Sequence, residues 1–400
     1  MAFQVSPGVL VQEKDLTRII PAVSTSIGAI AIQSNRGPVE EIVAISSEQE
    51  LVSTFGKPDT STFEYFFSAS SFLQYSNALR VVRANNTGLT NANTTGSSVL
   101  IKNIDDYQNN YATGQANVGT FAARTAGTWG NNLLVATCPS ASAFEETLAT
   151  SNQVNDTLSV GDTTVTVDDG TAFNVGDILE FSTTAATTDF TTGEKYRVTN
   201  ISTNDLTIVQ HPLGQGGLQT AYVDDARIKR RWRYYDSVDG APGTSPYVSA
   251  RNGSGDELHV VVIDEDGDIS GTPGEVIETF SKVSKASDAK TSQGDDNYYV
   301  NVIQNKSQYI YWTDHNSSGS NWGSASSGVT FTNVTTPTSE SLSGGSDGSA
   351  VTTGELKTAY ELFQDADTVD VGLIIAGPSG STTHIDNLIT IAENRKDAIV

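Results

Sequence analysis

The chain has 400 residues, 37% of them hydrophobic, with 47 acidic against 23 basic side chains and a formal net charge of −24. That length predicts two to three domains with cores of their own, and the charge excludes global binding of a polyanion such as nucleic acid. A single cysteine, Cys138, excludes an intrachain disulfide, and without a basic-then-apolar leader or an apolar run near the ~18 residues of a membrane span, the expectation is folding in a cytoplasm with no direct membrane insertion.

The rest of the composition is rich in Gly, Ser, Thr and Asn, which favour turns and short strands. Residues 1–20 read as an extended arm. Ser6-Pro7-Gly8 blocks a helix, and Val9, Leu10, Val11, Gln12 and Glu13 have no hairpin partner nearby. Ser26–Gln33 alternates as a strand, with a turn at Asn35–Pro38. Ser46 or Ser47 caps a helix that carries acidic residues in its first turn and ends at Gly56 and Pro58. Phe63–Tyr75 has helical spacing, and Leu79–Arg83 is a strand. Asn and Thr crowd residues 85–97, as in a surface loop, and core-like sequence resumes at Ala126–Val135.

Residues 155–223 read as a separate insertion. Thr163–Val167, Phe173–Phe181, Tyr196–Val198 and Leu206–Val209 are strands with turns between them and no helix signal, which argues a small antiparallel barrel or sandwich. Beyond it, His259–Ile263 is a buried strand, Glu275–Val283 reads as a helix, and Tyr298–Ile303 and Tyr309–Trp312 read as strands. Residues 316–350 are a Ser/Gly/Thr-rich loop. Thr353-Gly354-Glu355 opens a helix through Phe363, Val369–Ala376 is a strand, and Ile385–Arg395 is a helix. Asp397–Val400 looks like the start of another strand. A β-loop-α-β unit needs that strand, so the expectation is that the chain is a fragment of a longer protein. The fold class is therefore mixed α and β and multidomain. The expected segments are an arm (1–20), a core with surface loops (21–154), the inserted β domain (155–223), a β-rich continuation (224–350) and the start of an α/β domain (351–400).

Ser6-Pro7-Gly8 with Val11-Gln12-Glu13, Gly37-Pro38, Leu51–Pro58, Phe72–Tyr75 with Leu79–Ala84, Leu342–Gly348 and Val369–Gly377 occur in an order and spacing that resembles the contractile tail sheath proteins of T-even-like myoviruses. Leu342-Ser343-Gly344-Gly345 is similar to that family's LSGG motif. The 155–223 insertion has no such likeness, and the family's C-terminal portion is absent. The resemblance implies an α/β sheath core and a structural protein of the virion, not an enzyme, assembled in the host cytoplasm. It implies stacked hexameric rings of the protein with itself around the tail tube protein, with baseplate and tail terminator proteins as further partners. It also implies contraction that drives the tube through the host envelope. Val9–Glu13 would then be a subunit-linkage arm. The alternative is another β-rich virion protein, a baseplate or fibre component with an adhesive domain at 155–223.

Four motifs imitate chemistry. Gly344-Gly345-Ser346-Asp347-Gly348 fits G-x-S-x-G, but that motif needs a strand before it and a helix directly after. A turn with two glycines for tight backbone packing is the favoured reading. Asp264, Asp266 and Asp268, with Glu275, imitate a calcium loop, yet Ile269 stands where the glycine is required and Pro273 sits inside, so a plain acidic hairpin turn is favoured. Arg227, Lys229, Arg230, Arg231 and Arg233, interleaved with Trp232, Tyr234 and Tyr235, form a basic cluster. It reads either as a solvated strand edge or as a contact with an acidic patch on a neighbouring subunit; the net charge disfavours nucleic acid. Gly214–Gly217 and Gly377–Gly380 lack the Lys-Ser/Thr of a phosphate loop, so no cofactor is expected.

Overall fold

The computed structural model describes residues 27–115, 117–185, 187–331, 334–378 and 380–400, and Val9, Leu10, Val11, Gln12 and Glu13 lie outside them. The chain divides into two units, residues up to 89 with 347–400, and residues 90–346. Both are mixtures of helices and strands, as expected.

In the first unit, strands Leu373–Ile374, Gly28–Ile32 and Leu79–Arg83 are parallel, and Ile42–Ile45 adds antiparallel at the edge beside Leu79–Arg83. Gly28–Ile32 is buried throughout, the mark of a strand covered on both faces. Period-two alternation sorts its side chains. Ala29, Ala31 and Val82 pack with Leu356, Tyr360 and Leu388, whereas Ile30, Ile32 and Val81 pack with Leu51, Phe55 and Phe66. Helices Thr353–Glu361 and Thr382–Arg395 thus cover one face, and Glu48–Phe55 and Phe63–Leu73 the other.

The helix ends follow local chemistry. Ser47 accepts from the Glu50 N–H, and Gly56 ends the same helix at φ 88°, where a side chain would be strained. Thr352 and Glu355 form a capping box. Arg395 is buried at the end of the last helix and donates to the carbonyls of Phe363, Asp365 and Val369. Ile399 makes a parallel bridge to Leu373.

The second unit holds two larger antiparallel sheets. One has four strands in the order Glu275–Ser284, Glu257–Asp264, Leu133–Cys138, Thr338–Ser341. The other has six, in the order Glu145–Thr147, Ile228–Arg231, Ile178–Phe181, Tyr196–Ser202, Asp205–Gln210, Thr164–Thr166. Its core includes Leu179, Phe181, Tyr196, Val198 and Ile208. Two of its strands, Glu145–Thr147 and Ile228–Arg231, lie outside the 155–223 window.

Four readings of the sequence are corrected here. Glu275–Val283 is not a helix but the strand Glu275–Ser284. Val276, Ile277, Thr279 and Val283 are β-branched, and an acidic hairpin turn requires a strand on its far side. Tyr298–Ile303 is not a strand but lies at the start of the helix Tyr299–Lys306, in which Tyr299, Val300, Val302 and Ile303 are buried, a helical face rather than an alternation. Within the 316–350 loop, Thr338–Ser341 is a strand paired with Leu133–Cys138. Finally, residues 85–97 are not a surface loop, because Asn86, Asn91 and Asn93 are buried.

Those asparagines are buried because their amides replace missing sheet partners. Asn91 Oδ1 accepts from the Ile101 N–H at 2.8 Å, and its Nδ2 donates to the Ala123 carbonyl at 2.9 Å. Asn93 accepts from the Thr95 and Ser97 N–H groups and donates to the Ser97 carbonyl. Asn86 donates to the carbonyls of Asp347 and Ser349. Asn91→Leu keeps the volume but strands one buried N–H and one buried carbonyl. It should cost roughly 2–4 kcal/mol in urea unfolding, whereas a surface asparagine would give a change within about 0.5 kcal/mol.

Candidate functional site

The Gly-Gly segment is a docking point between backbones. Leu342 is buried, and its N–H donates to the Leu133 carbonyl at 2.8 Å. Ser343 and Asn93 exchange backbone hydrogen bonds of 2.9 and 3.0 Å. Gly345 N donates to Asn131 Oδ1 at 2.8 Å, and Asn131 Nδ2 returns a bond to the Gly345 carbonyl at 3.0 Å. A Cβ on Gly345 would stand 2.4 Å from the Gly127 carbonyl oxygen, and one on Gly344, at φ 78°, 2.6 Å from that of Gly96. The glycines therefore serve close packing. Ser346 is followed by Asp347 in a two-residue strand, not by a helix, so the nucleophile-elbow geometry is not formed.

The histidines are engaged elsewhere. His315 Nδ1 lies 2.6 Å from the Tyr299 hydroxyl, and His384 Nε2 lies 3.0 Å from the Ala376 carbonyl. Fully buried His259 is fixed as the neutral tautomer protonated at Nε2. Nε2 meets the Gly240 carbonyl at 2.9 Å, while Nδ1 accepts from the Lys282 N–H at 3.0 Å. That bond anchors Lys282 at φ 50°, a left-handed position for a non-glycine residue.

Asp264 organises the turn between strands Glu257–Asp264 and Glu275–Ser284. Its carboxylate accepts from the N–H groups of Gly267, Ile269 and Ser270 and from the Ser270 hydroxyl. Burial opposes its ionisation, but these bonds, led by those from Ser270, hold its pKa below the usual value. Asp268 accepts from Asn132. Among the described residues no group of three His, Cys, Asp or Glu side chains is arranged to hold a metal ion.

The basic cluster is not a solvated edge. Ile228–Arg231 is paired on both sides, by Glu145–Thr147 and by Ile178–Phe181. Arg230 is 1% exposed and meets Glu146 at 3.3 Å and the Ala172 carbonyl. Arg227 donates to the Leu148 carbonyl. Lys229 and Arg231 both face Glu145, and Arg231 also meets Glu180 at 3.2 Å. Arg233 lies over the Tyr234 ring, while Trp232 and Tyr234 are buried against Ala136, Val261 and Ile263. Much of the cluster's charge is compensated within the chain by Glu145, Glu146 and Glu180. Sequence reasoning missed these partners, although Glu145-Glu146 was a visible acidic pair.

Paired sheets, backbone clamps and compensated charge make up these sites. Comparison with known proteins finds relatives of one kind. Residues 25–84, from the Gly28–Ile32 strand through Leu79–Arg83, match the family model "Tail sheath protein Gp18 domain III N-terminal region". The chain is 24% identical to the tail sheath protein of Enterobacteria phage T4 over 99% of its own length and 61% of that protein. It is 37% identical to the tail sheath protein of Vibrio phage KVP40 over 20% of this chain and 12% of that one. A solved sheath tail protein from Desulfitobacterium hafniense aligns with 98% of this chain and 50% of that chain, at 11% identity and a TM-score of 0.35. The chain thus resembles the T4 tail sheath protein along almost its whole length, including the 155–223 segment where no motif of that family was read, and spans about three fifths of that protein.

Burial pushes His259 down to about 4 from an ordinary 6.5. The unfolded chain therefore takes up this proton first as pH falls. The contribution to stability is complete above pH 6.5 and is lost progressively toward pH 4, by up to roughly 3 kcal/mol. Urea unfolding followed by tryptophan fluorescence should show this loss between pH 7 and 4.5, since Trp232 stacks on His259 at 6.2 Å. His259→Gln should flatten the dependence.

Proposed function

We propose that this protein is a structural subunit of a phage contractile tail sheath and has no enzymatic role. It assembles with itself as stacked hexameric rings around the tail tube in the host cytoplasm and becomes part of the virion. It meets baseplate and terminator proteins at the ends of the sheath, and its contraction drives the tube through the host envelope. The observation that carries this reading is the similarity over 99% of the chain to the T4 tail sheath protein.

In this reading Val9–Glu13 links subunits by adding a strand to a neighbour's open sheet edge. Twelve extended residues reach at most about 40 Å, enough to span to an adjacent body. Main-chain hydrogen bonds made through such an arm survive rotation of the bodies they join, which contraction requires.

Negative-stain microscopy of the purified protein tests both statements. The expected result is long hollow tubes from the full-length protein. Deleting residues 2–14 should abolish them while leaving the thermal midpoint within a few degrees. Failure of the full-length protein to form tubes under any salt condition would overturn the sheath reading; tubes formed equally well without the arm would overturn only its linking role.

A further inference from the structure

The six-stranded sheet has an outer face that joins Lys229, Arg231 and Tyr235 of the basic cluster to residues the sequence motifs did not single out. Ile178 lies between Arg231 on one neighbouring strand and Arg197 on the other, in direct register. Directly opposed residues share a face, so both arginines stand on the side away from the Leu179–Tyr196 core. His211 N–H donates to the Lys195 carbonyl at 2.9 Å, which sets His211 beside Lys195 at the end of the same strand pair.

These groups converge on one ring. Lys195 Nζ lies 5.2 Å from the centre of the Tyr235 ring, the Arg231 guanidinium carbon 5.8 Å, and the His211 ring 6.5 Å. Alongside, Lys229 Nζ lies 4.6 Å over Phe190. Leu213, in the turn after His211, is 68% exposed. Ile178 itself is buried, while the cations and rings around it are partly exposed.

The local charge runs opposite to that of the molecule. Four cations, Lys195, Arg197, Lys229 and Arg231, stand against Glu145, Glu180 and Asp236. The glutamates are taken by Lys229 and Arg231; burial lowers the His211 pKa, against the pull of nearby Asp236 and with the push of Arg197 and Lys195. Among the described residues, no carboxylate forms an ion pair with Lys195 or Arg197. In a chain with 47 acidic and 23 basic residues, a cationic face with aromatic and aliphatic groups at its centre needs a cause.

We propose that this face is a docking surface for an acidic segment of a second copy of this chain. The proposal rests on the sheath-subunit reading. Copies that each carry a charge of −24 repel one another when packed closely. A face where cations outnumber carboxylates lets one copy meet another's acidic surface with attraction. Arg197 offers a planar fork to a carboxylate, and Tyr235, Phe190 and Leu213 supply apolar area that excludes water around the pair.

Sedimentation velocity of the full-length protein between 20 and 500 mM NaCl tests this. Wild-type assembly should weaken with salt. Lys195→Glu with Arg197→Glu should raise the concentration needed for assembly by roughly tenfold or more, with unchanged circular dichroism and melting. Lys195→Arg, which keeps both the charge and the Arg197 fork, should assemble like wild type. If the reversed variant assembles as well as wild type, the docking face is wrong while the subunit reading stands. The same holds if wild-type assembly is indifferent to the face but the face retains an acidic polysaccharide. If the wild type assembles at no salt concentration, both fall.

Discussion

Backbone N–H and C=O groups buried outside regular ladders must find partners or cost stability, and in this chain side chains supply many of them. Asn91, Asn93 and Asn131 act as stand-in peptide groups for residues 91–101, 123 and 345. Lys285, 1% exposed, donates to three carbonyls, those of Pro139, Gly255 and Glu257. Burial lowers its ammonium to about 8. Asp256, fully buried beside it, accepts from the Ser245 N–H and from the Ser245 and Ser284 hydroxyls. In the other unit Arg395 clamps residues 363–369 in the same way. A sequence rich in Gly, Ser, Thr and Asn can thus be rigid where it has little helix or strand.

That rigidity bears on the proposed assembly. Surfaces that join copies of one protein work only if their side chains keep fixed spacings. The Tyr235 face rests on three strands in strict register, with Arg230 and Glu146 locked beneath it. The inward alternation of Ile228 and Arg230 leaves Lys229 and Arg231 on the opposite side. The charges that face outward are therefore set by the same period-two rule that builds the core.

Elements with a clean local signal were legible in the sequence. Leu79–Arg83 was bounded correctly because Leu79, Val81 and Val82 make a short apolar run between Ser76-Asn77 and Asn85-Asn86, and the Ser47 cap and Gly56 stop marked the first helix. Glu275–Ser284 misled because its acidic start resembles a helix N-terminus, although its β-branched residues argued for a strand. Tyr299–Lys306 misled because Tyr298 and Tyr299 ahead of Val300 suggested a strand. Asn91 and Asn93 read as surface because asparagine is usually exposed; only long-range partners such as Ala123 reveal why they are inside. Within the basic cluster the residue types were visible, but the pairing with Glu145, Glu146 and Glu180 depends on strand order, and Lys195 and Arg197 join the face only through the register with Ile178.

The claim that side-chain amides hold irregular backbone as firmly as a ladder does can be measured by native-state hydrogen exchange. The amides of Ile101 and Gly345, bonded to Asn91 and Asn131, should exchange as slowly as those of the Leu133–Cys138 strand. Exchange of both at the rate of the exposed 213–216 turn would contradict the account.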